Sequence, residues 1–397
     1  MVTVVGMTKS DDDISNEAVE FFLESACSFG IGVYILLENS NESFRKKLSA
    51  YGHFRYSSKG NPRSVESSRM NYFPMCLNWI DIEVFPDSKD LMSMTHEYLI
   101  SAYGTIPNMP QNNPLQLKRI ANIKRAREYQ RQFVANKLKE REEKRGKQYQ
   151  KALSVIVMMD VDMLEYPHPS KVIKVADKWI LPSSMDFDGT NSDRSGIANA
   201  NGQSKYHAIC SNGIMVTSGQ QQYYDTFATV LLPNTWLYPR KWRSLSQKQL
   251  EGEDEKLATL RQEDTLLWFL DNGTVLLKEN EQNYYIGTRI VPVPVRSCFG
   301  GLTIYRSDVW MNELNGISGN AFNETMKADT NIGCRYDMYD EACNIYSSKA
   351  ERHACEHVIF HECLRRRNKE TDGIGAEDKS FRIAVLPDLF TLYHFTG

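Results

Sequence analysis

The segment Ser154–Met163, SVIVMMDVDM, decides how the rest of the sequence is interpreted. Residues 155–159 are all apolar, which is typical of a strand that helices cover on both faces. Asp160 and Asp162 follow, and we expect both at the carboxyl end of the strand, where α/β sheets open into a ligand-binding crevice. Neighbouring carboxylates favour a cation between them, so Asp160-Val161-Asp162 predicts a site for Mn²⁺ or Mg²⁺ with a diphosphate. The alternative is a pair of solvated aspartates after a core strand.

The composition limits the classes of protein to be considered. A chain of 397 residues allows two or three domains, or one large α/β domain with insertions. The formal net charge of -3 gives no overall indication of binding to nucleic acid or to an anionic membrane. No apolar run approaches the roughly 18 residues needed to span a bilayer, so we expect no integral membrane segment.

The eight cysteines are too sparse for a disulfide framework and contain no C-x-x-C pair. We expect Cys27, Cys76, Cys210 and Cys298 to be buried thiols, because their sequence contexts are apolar or strand-like. The chain starts with a strand-like segment rather than a signal peptide, so a cytoplasmic location is the simplest expectation. The Golgi lumen is the alternative if an N-terminal anchor is missing from this sequence.

The N-terminal region predicts a strand, a helix and a second strand. Thr3–Val5 is strand-like and Gly6–Asp13 is a polar turn. A helix then runs from Ser15 to near Gly30, and Gly32–Leu37 is the second strand. This order favours a parallel βαβ unit. The predicted fold class is α/β, with a mixed, mostly parallel sheet flanked by helices.

Residues 115–149 form a long basic segment with apolar residues near helical spacing. Glutamates alternate with the lysines and arginines. We therefore interpret most of the segment as a solvated helix face rather than as a nucleic-acid-binding surface. Because the segment precedes the strand that carries Asp160, its first arginines are candidates for the same crevice.

Several segments in the middle of the chain are candidates for substrate contacts. Ser183–Gln203 is rich in Asp, Asn, Ser and Gly, which predicts an active-site loop. Tyr223–Phe227, YYDTF, offers rings for stacking on a sugar, although core tyrosines are the commoner explanation. Trp236–Glu263 mixes aromatic with charged residues and is interpreted as a lid or a surface insertion.

A tight turn, Ser297–Gly301 (SCFGG), is predicted between the extended segments Val291–Arg296 and Leu302–Tyr305. Paired glycines allow the backbone to approach a ligand closely, and they serve a hairpin or a bulge equally well. Gly300 and Gly301 are therefore candidates for ligand contact as well as for the turn itself.

The C-terminal region contains two further candidate residues. Glu351–Arg367 is helical by composition, and it places Glu356 next to buried positions. A carboxylate there needs a hydrogen-bonding or ionic partner, or it has a functional role. A solvated helix position is the alternative. Phe381–Leu386 predicts a last strand, and His394 follows it between apolar residues. His394 is a core histidine or, if the chain returns beside Asp162, a third metal ligand.

His353–His357 spells H-x-x-E-H, with two histidines one helical turn apart. The same pattern marks inverted zinc metallopeptidase sites. A zinc site at this motif would leave Asp160 and Asp162 without a role. Few residues follow the motif that could supply another zinc ligand. A zinc metallopeptidase is one alternative function. A non-enzymatic nucleic-acid-binding protein that uses the basic residues from Arg119 to Arg145 is the other.

Short motifs spread along the chain resemble the GT-A nucleotide-sugar glycosyltransferases, and more narrowly the fungal capsule-associated α-1,3-mannosyltransferase family. The motifs that resemble this family are Glu38-Asn39-Ser40, Arg119-Ile120, Ala126-Arg127, Asp160-Val161-Asp162, Ser297–Gly301 and Glu356. The sequence departs from the family at Glu128, where asparagine is usual, and at His357, where a cysteine or a second acid is expected.

The resemblance implies a GT-A (Rossmann-like) fold in a single domain over residues 1–397. Residues 1–165 would form its nucleotide-binding half and residues 166–397 its acceptor-binding half. The implied reaction moves a hexose from GDP-mannose or a UDP-sugar to a hydroxyl of a glycan or glycoprotein. The implied cofactor is Mn²⁺ or Mg²⁺, and no nucleic-acid partner is implied.

The resemblance also implies roles for particular residues. Asp160, Asp162 and His394 would hold the metal. Glu356 would be the catalytic carboxylate near the acceptor. The residues that would bind the nucleotide sugar are Glu38, Arg119, Arg127, Asp160, Gly300 and Gly301.

Overall fold

The fold is taken from a computed structural model of the chain. The residues that it describes are 2–9, 22, 25–26, 33–38, 80–84, 123, 126–138, 140, 155–161, 163–181, 206–217, 219–225, 228–232, 235–238, 259–279, 284–311, 334, 336, 356–370 and 381–394. Several predicted features lie outside these residues, namely Arg119, Asp162, the loop Ser183–Gln203, Cys27 and Cys76.

Parallel strands build one side of the main sheet. They are β1 (Val2–Lys9), β2 (Val33–Glu38), β3 (Ile80–Val84) and β4 (Val155–Asp160), in the spatial order β3-β2-β1-β4. β1 pairs in parallel with both β2 and β4. Phe22, Ser25 and Ala26, between β1 and β2, are helical. In these residues the predicted βαβ unit is confirmed.

β1 continues through Gly6 to Lys9, so the predicted polar turn is wrong for these residues. Gly6 lies opposite Ile35 of β2 and Met159 of β4. A Cβ atom at Gly6 would overlap the ring of Phe22. Glycine is therefore needed here because a helical residue packs closely on the strand. A turn also favours glycine, so the sequence pattern does not distinguish the two cases.

The rest of the sheet is mainly antiparallel. Its strands and the separate hairpin are β5 (Ala208–Thr217), β6 (Gln220–Tyr223), β7 (Val230–Leu231), β8 (Thr235–Tyr238), β9 (Thr259–Arg261), β10 (Thr274–Glu279), β11 (Tyr284–Ile290), β12 (Val293–Ser297), β13 (Leu302–Arg306) and β14 (Ile383–His394). The full order is β3-β2-β1-β4-β13-β5-β14-β12-β7-β8-β9, with β6 on β5. Among the described strands, β10 and β11 form a separate two-stranded sheet. The predicted mixed α/β sheet is confirmed. The prediction that the sheet is mostly parallel is wrong for the described strands, because beyond β4 antiparallel pairs predominate.

The segment predicted to be a lid or a surface insertion, Trp236–Glu263, contributes strands to the sheet. β8 and β9 pair in parallel at the end of the strand order. The prediction is therefore wrong for both ends of the segment, and residues 239–258 lie outside the described part of the chain.

Helices cover both faces of the sheet. They are α1 (126–138), α2 (Pro169–Val175, continued by a π-helical turn over Ala176–Ile180), α3 (Gln262–Gly273), α4 (Ser307–Met311) and α5 (Glu356–Glu370). The predicted C-terminal helix is thus confirmed from Glu356 onward. In the described part of the chain, no helix has the length and apolarity needed to cross a membrane.

The apolar run of β4 is explained by burial on both sides. Val155, Val157 and Met159 belong to a core cluster that includes residues of α2. Ile156 and Met158 belong to a second cluster, which includes residues of α1, α4 and α5. Successive positions of the strand therefore all need apolar side chains, as the sequence predicted.

Two disulfide bonds link described residues, Cys210 to Cys298 and Cys334 to Cys363. The prediction that Cys210 and Cys298 are thiols is therefore wrong. Cys298 lies in the turn before β13, and β13 pairs with β5 at Cys210. The two cysteines are 88 residues apart in sequence, and only the pairing of strands brings their sulfur atoms together.

We expect these cross-links to be measurable in solution. Alkylation of the denatured, unreduced protein should modify at least four fewer of the eight cysteines than alkylation after reduction. Reduction should lower the free energy of unfolding by about 2–5 kcal/mol per disulfide, because the unfolded chain regains conformational freedom. Labelling of all cysteines without reduction would contradict the structure.

Candidate functional site

The candidate site lies at the carboxyl edge of the parallel strands. Asp160 ends β4 opposite Met7 of β1, and Glu38 ends β2 opposite Lys9 of β1. β13 runs in the opposite direction, so Gly301, which precedes it, lies at this edge as well. The register thus brings three backbone positions of predicted donor-binding residues to one edge. The side chain of Glu38 is outside the described part of the molecule.

The Asp160 carboxylate is held from two sides. Nη2 of Arg127 donates a hydrogen bond to Oδ1 at 3.1 Å, and the hydroxyl of Tyr224 donates one to Oδ2 at 3.2 Å. The backbone is fixed as well, since the Asp160 amide donates to the Gly301 carbonyl and the Tyr166 hydroxyl donates to the Asp160 carbonyl. The Asp160 side chain is only 17% exposed, so it is not a fully solvated aspartate.

Arg127, near the start of α1, carries a buried positive charge. Its side chain is 5% exposed, and its guanidinium carbon lies 4.9 Å from the ring centroid of Phe299. A buried guanidinium needs an anionic partner, which Asp160 supplies, and the aromatic ring adds a cation–π attraction. Arg127, an early arginine of the basic segment, thus contacts Asp160, where the crevice was expected. Its role in binding a donor stays a prediction.

The paired glycines before β13 support Asp160 from the other side. Gly300 and Gly301 have φ angles of 66° and 83°, which other residues rarely adopt. A Cβ atom at Gly300 would overlap the backbone of Ser211, and one at Gly301 would overlap Met163. The turn and its packing therefore account for both glycines, and their contact with a donor stays a prediction.

The end of β14 returns beside the segment that follows β4. The amide of Leu392 donates to the carbonyl of Glu165 at 3.0 Å, and the amide of Glu165 donates to the carbonyl of Leu392 at 3.3 Å. One residue further along, the ring of Tyr393 lies 4.7 Å from the ring of Tyr224. The last strand thus reaches the side chains that hold Asp160.

His394 is the last residue of β14, which extends well beyond the predicted strand Phe381–Leu386. The isolated antiparallel bridge between Leu392 and Glu165 brings the end of β14 beside the segment that follows β4. The His394 side chain and Asp162 lie outside the described residues, so the ligand set stays a prediction.

Glu356 begins α5, and its neighbour His357 joins that helix to the site. The imidazole of His357 stacks on the ring of Phe299 with centroids 4.3 Å apart, and Phe299 also contacts Arg127. Burial lowers the pKa of His357 well below its usual value, and the charge of Arg127 lowers it further, so the ring is neutral. The start of α5 therefore lies against residues that hold Asp160. The Glu356 side chain is outside the described part of the helix.

The H-x-x-E-H motif is described only at its last two positions. His357 packs on Phe299 and meets the ring of Tyr336 edge-on at 5.4 Å, as a core histidine does. His353 lies outside the described residues. A zinc site formed by these histidines stays a prediction without a supporting contact among the described residues.

Buried polar groups fix α5 on the sheet. Nδ1 and Nε2 of His361 are hydrogen-bonded to the hydroxyls of Ser297 and Tyr305, both at 2.8 Å. Glu362 accepts two hydrogen bonds from Arg296, at 2.6 and 2.9 Å. Leaving any of these buried groups without its partner would cost about 1–3 kcal/mol. The helix therefore has one favoured position against β12 and β13.

The basic segment is less solvated than predicted. Arg131 is 1% exposed and forms a two-point ion pair with Glu128, at 2.7 and 3.1 Å. Arg127 is also buried, so neither arginine lies on an exposed face of the helix. Lys137 and Glu140 form the kind of surface pair that was expected for a solvated helix face. The prediction of a solvated face is wrong for Arg131, because Glu128 pairs with it inside the molecule. The contact of Arg127 with Asp160 agrees with the separate expectation for the first arginines of the segment.

The YYDTF segment contributes one residue to the core and one to the site. Tyr223 is fully buried and is hydrogen-bonded to Thr229, whereas Tyr224 is half-buried beside Asp160. Adjacent side chains in a strand point to opposite faces of the sheet. This alternation is the sequence signal that assigns Tyr223 to the core and Tyr224 to the site. The contacts of Tyr224 with Asp160 and Tyr393 were not predicted from the sequence.

Among the described residues, Asp160 is the candidate ligand for a divalent cation at this edge. Carboxylate oxygens suit Mg²⁺ and Mn²⁺, and a carboxylate has about four lone-pair sites, so the two hydrogen bonds to Asp160 do not by themselves preclude a metal. Within the described ranges, no group of three or more His, Cys, Asp or Glu side chains is placed to hold a metal. Asp162 and His394, whose side chains lie outside those ranges, would have to complete the site.

No model of a known protein family matches this chain, and no curated protein matches it. Its function is therefore inferred from the residues at the carboxyl edge.

Substitution of Asp160 tests the ion pair with Arg127. Asp160→Ala leaves the buried guanidinium without this carboxylate, and we expect the free energy of unfolding to fall by about 2–3 kcal/mol, less than for a fully buried pair. The double variant Arg127→Met/Asp160→Ala should recover part of the loss, because it removes the buried charge as well. Chemical denaturation of the single and double variants measures the coupling. Strictly additive losses would show that the two side chains do not interact.

Buried histidines should make the fold sensitive to acid. Burial lowers the pKa of His207 and His361 to about 3 and that of His357 well below its usual value. Between those values and about 6.5 the unfolded chain binds protons that the folded protein does not. Stability is therefore full above this window and is lost as the pH falls through it.

Urea denaturation at neutral and at mildly acidic pH measures this dependence. We expect a loss of roughly 1 kcal/mol per pH unit for each histidine once the pH is below about 6. His361→Gln should show a smaller dependence on pH than the wild type. A free energy of unfolding that stays constant or rises on acidification would be inconsistent with neutral, buried imidazoles.

Proposed function

We propose that this protein is a metal-dependent glycosyltransferase that moves a hexose from a nucleotide sugar to a hydroxyl of a glycan or glycoprotein. The observation that supports this function is the pairing of Arg127 with Asp160 at the carboxyl edge of β4, where the end of β14 also returns. A nucleotide diphosphate is bound by positive charge. This edge of the sheet offers a guanidinium, and beside it a carboxylate that could help to bind a metal ion.

The order of the strands supports a nucleotide-binding half of GT-A type. Ligands of open α/β sheets bind outside the carboxyl ends of the strands. β2 and β4, on either side of β1, end there with the acidic residues Glu38 and Asp160. We propose a single GT-A domain over residues 1–397, with the halves 1–165 and 166–397. The contact of β14 with Glu165 supports a site that uses both halves.

The charge of the donor diphosphate determines which residues are needed around it. Arg127 would bind its oxygens, since a guanidinium matches the geometry of phosphate. A bound Mn²⁺ or Mg²⁺, held by Asp162 with Asp160 and His394, would act as a Lewis acid for the leaving diphosphate. The buried surroundings of Arg127 strengthen its attraction for an anion, because little water screens the charge.

Glu356 is the residue that we assign to the acceptor. In an inverting reaction its carboxylate would take the proton of the acceptor hydroxyl, and in a retaining reaction it would orient the acceptor. The stacking of its neighbour His357 on Phe299, which contacts Arg127, supports a position of Glu356 near the donor.

The disulfides bear on the compartment. Disulfide bonds form and persist in secretory compartments and are rare in the cytosol. Because Cys210–Cys298 and Cys334–Cys363 are both cross-linked, we propose the Golgi lumen or another secretory compartment instead of the expected cytoplasmic location. Transfer of sugars to glycans is consistent with that environment.

A donor-binding assay tests the proposed function. The unfolding temperature is recorded with GDP-mannose and with UDP-sugars, each with and without Mn²⁺. A donor at about 100 times its Kd should stabilise the protein by about 3 kcal/mol, because it binds only the folded state. Asp162→Ala should abolish the Mn²⁺-dependent part of the increase.

Asp308→Asn is the matched control for this assay. Asp308 follows β13 at the opposite edge of the sheet and pairs with Arg306, so its loss should not affect donor binding. If no donor raises the unfolding temperature of the wild type in the presence of Mn²⁺, the proposed function is wrong.

Glu356→Gln separates chemistry from binding. If Glu356 is the base, we expect kcat to fall by about 10²–10⁴-fold with little change in donor affinity, because an amide cannot accept the proton. Release of the nucleotide in the presence of an acceptor glycan measures kcat. Glu140→Gln, at an exposed helical position, should retain full activity. An unchanged kcat in Glu356→Gln would remove Glu356 from the reaction.

A further inference from the structure

Tyr224 connects chain segments that are distant in sequence. It follows β6, and its amide donates to the carbonyl of Gly213 in β5 at 2.9 Å. Its hydroxyl reaches Oδ2 of Asp160 at the end of β4, and its ring lies 4.7 Å from the ring of Tyr393 near the end of β14. Tyr224 therefore makes contacts with three strands at the candidate site.

The hydroxyl of Tyr224 restricts the orientation of the Asp160 carboxylate. Arg127 bonds to Oδ1 and Tyr224 bonds to Oδ2, so the two oxygens have different donors. A carboxylate with a donor on one oxygen alone can rotate about its Cβ–Cγ bond, and a second donor on the other oxygen opposes that rotation. A group whose orientation is set before a ligand arrives loses less freedom on binding.

The ring of Tyr393 in turn supports the ring of Tyr224. The two planes are inclined by 35°, and both side chains are half-buried. The backbone next to Tyr393 is anchored by the hydrogen bonds between Leu392 and Glu165. Tyr224 is thus held through its backbone amide, its ring and its hydroxyl. A tyrosine that only packed in an exposed loop would need none of these contacts.

We infer that Tyr224 is a positioning residue of the proposed donor site, which acts through Asp160 while Tyr393 holds its ring. The hydroxyl would keep the carboxylate in one orientation for a divalent metal, and the metal would hold the donor diphosphate. This inference rests on the proposed function, since it names how that same site is held.

Tyr224→Phe removes the hydroxyl and keeps the ring. We expect the Mn²⁺-dependent affinity for the donor to fall about tenfold, while the unfolding temperature without ligand changes little. A merely structural role would lower the unfolding temperature without ligand and leave the Mn²⁺-dependent affinity for the donor unchanged.

Tyr206→Phe is the matched control. Tyr206 lies before β5, at the opposite edge of the sheet, and its hydroxyl is 3.5 Å from the carbonyl of Pro292. This variant also loses one phenolic hydroxyl, and its donor affinity should equal that of the wild type. Tyr393→Leu removes the supporting ring and should weaken donor binding by less than Tyr224→Phe.

Calorimetric titration of GDP-mannose and UDP-sugars in saturating Mn²⁺ distinguishes these outcomes. A wild type that binds no donor overturns the proposed function and this inference together. A wild type that binds the donor, with Tyr224→Phe binding it as tightly, overturns the inference alone. A loss confined to the Tyr224 and Tyr393 variants supports it.

Discussion

The ion pair between Arg127 and Asp160 is the interaction on which the site depends. The guanidinium is 5% exposed and the carboxylate 17%, so the two charges attract each other with little screening by water. The pair ties the first turns of α1 to the end of β4. Phe299 lies against the guanidinium, and His357 lies against Phe299. These contacts link the start of α5 to the ion pair. Movement of any one of these elements would leave a charge in surroundings that solvate it poorly.

The backbone around the pair is constrained from several directions. The Gly301 carbonyl accepts the amide of Asp160, and the carbonyl of Gly300 accepts the hydroxyls of Ser211 and Thr391. The disulfide between Cys298 and its partner on β5 closes the same turn at its other end. A polar site at the end of a strand is thus held by covalent, hydrogen-bonded and ionic contacts, which gives its side chains fixed positions before any ligand is bound.

The parts of this arrangement that follow from local sequence were predictable. The apolar run before Asp160 indicated a strand buried on both faces, and the pairing of β1 with β2 followed from their order and spacing. The contacts of Asp160 with Arg127 and Tyr224 join residues 33 and 64 positions apart, and no periodicity in the sequence encodes them. The disulfides escaped prediction for the same reason. Gly6 was mistaken for part of a turn, because close packing and turns both require glycine.

Binding of a divalent metal at Asp160 is central to this interpretation, and paramagnetic NMR measures it most directly. The tyrosine rings are isotopically labelled, and spectra are recorded with the nucleotide sugar and either Mg²⁺ or Mn²⁺. Broadening by Mn²⁺ falls steeply with distance. We predict strong broadening of Tyr224 and Tyr166, which are both hydrogen-bonded to Asp160, and much weaker broadening of Tyr206 at the opposite edge of the sheet. Equal broadening of the three rings, or none at all, would contradict a metal site at this edge.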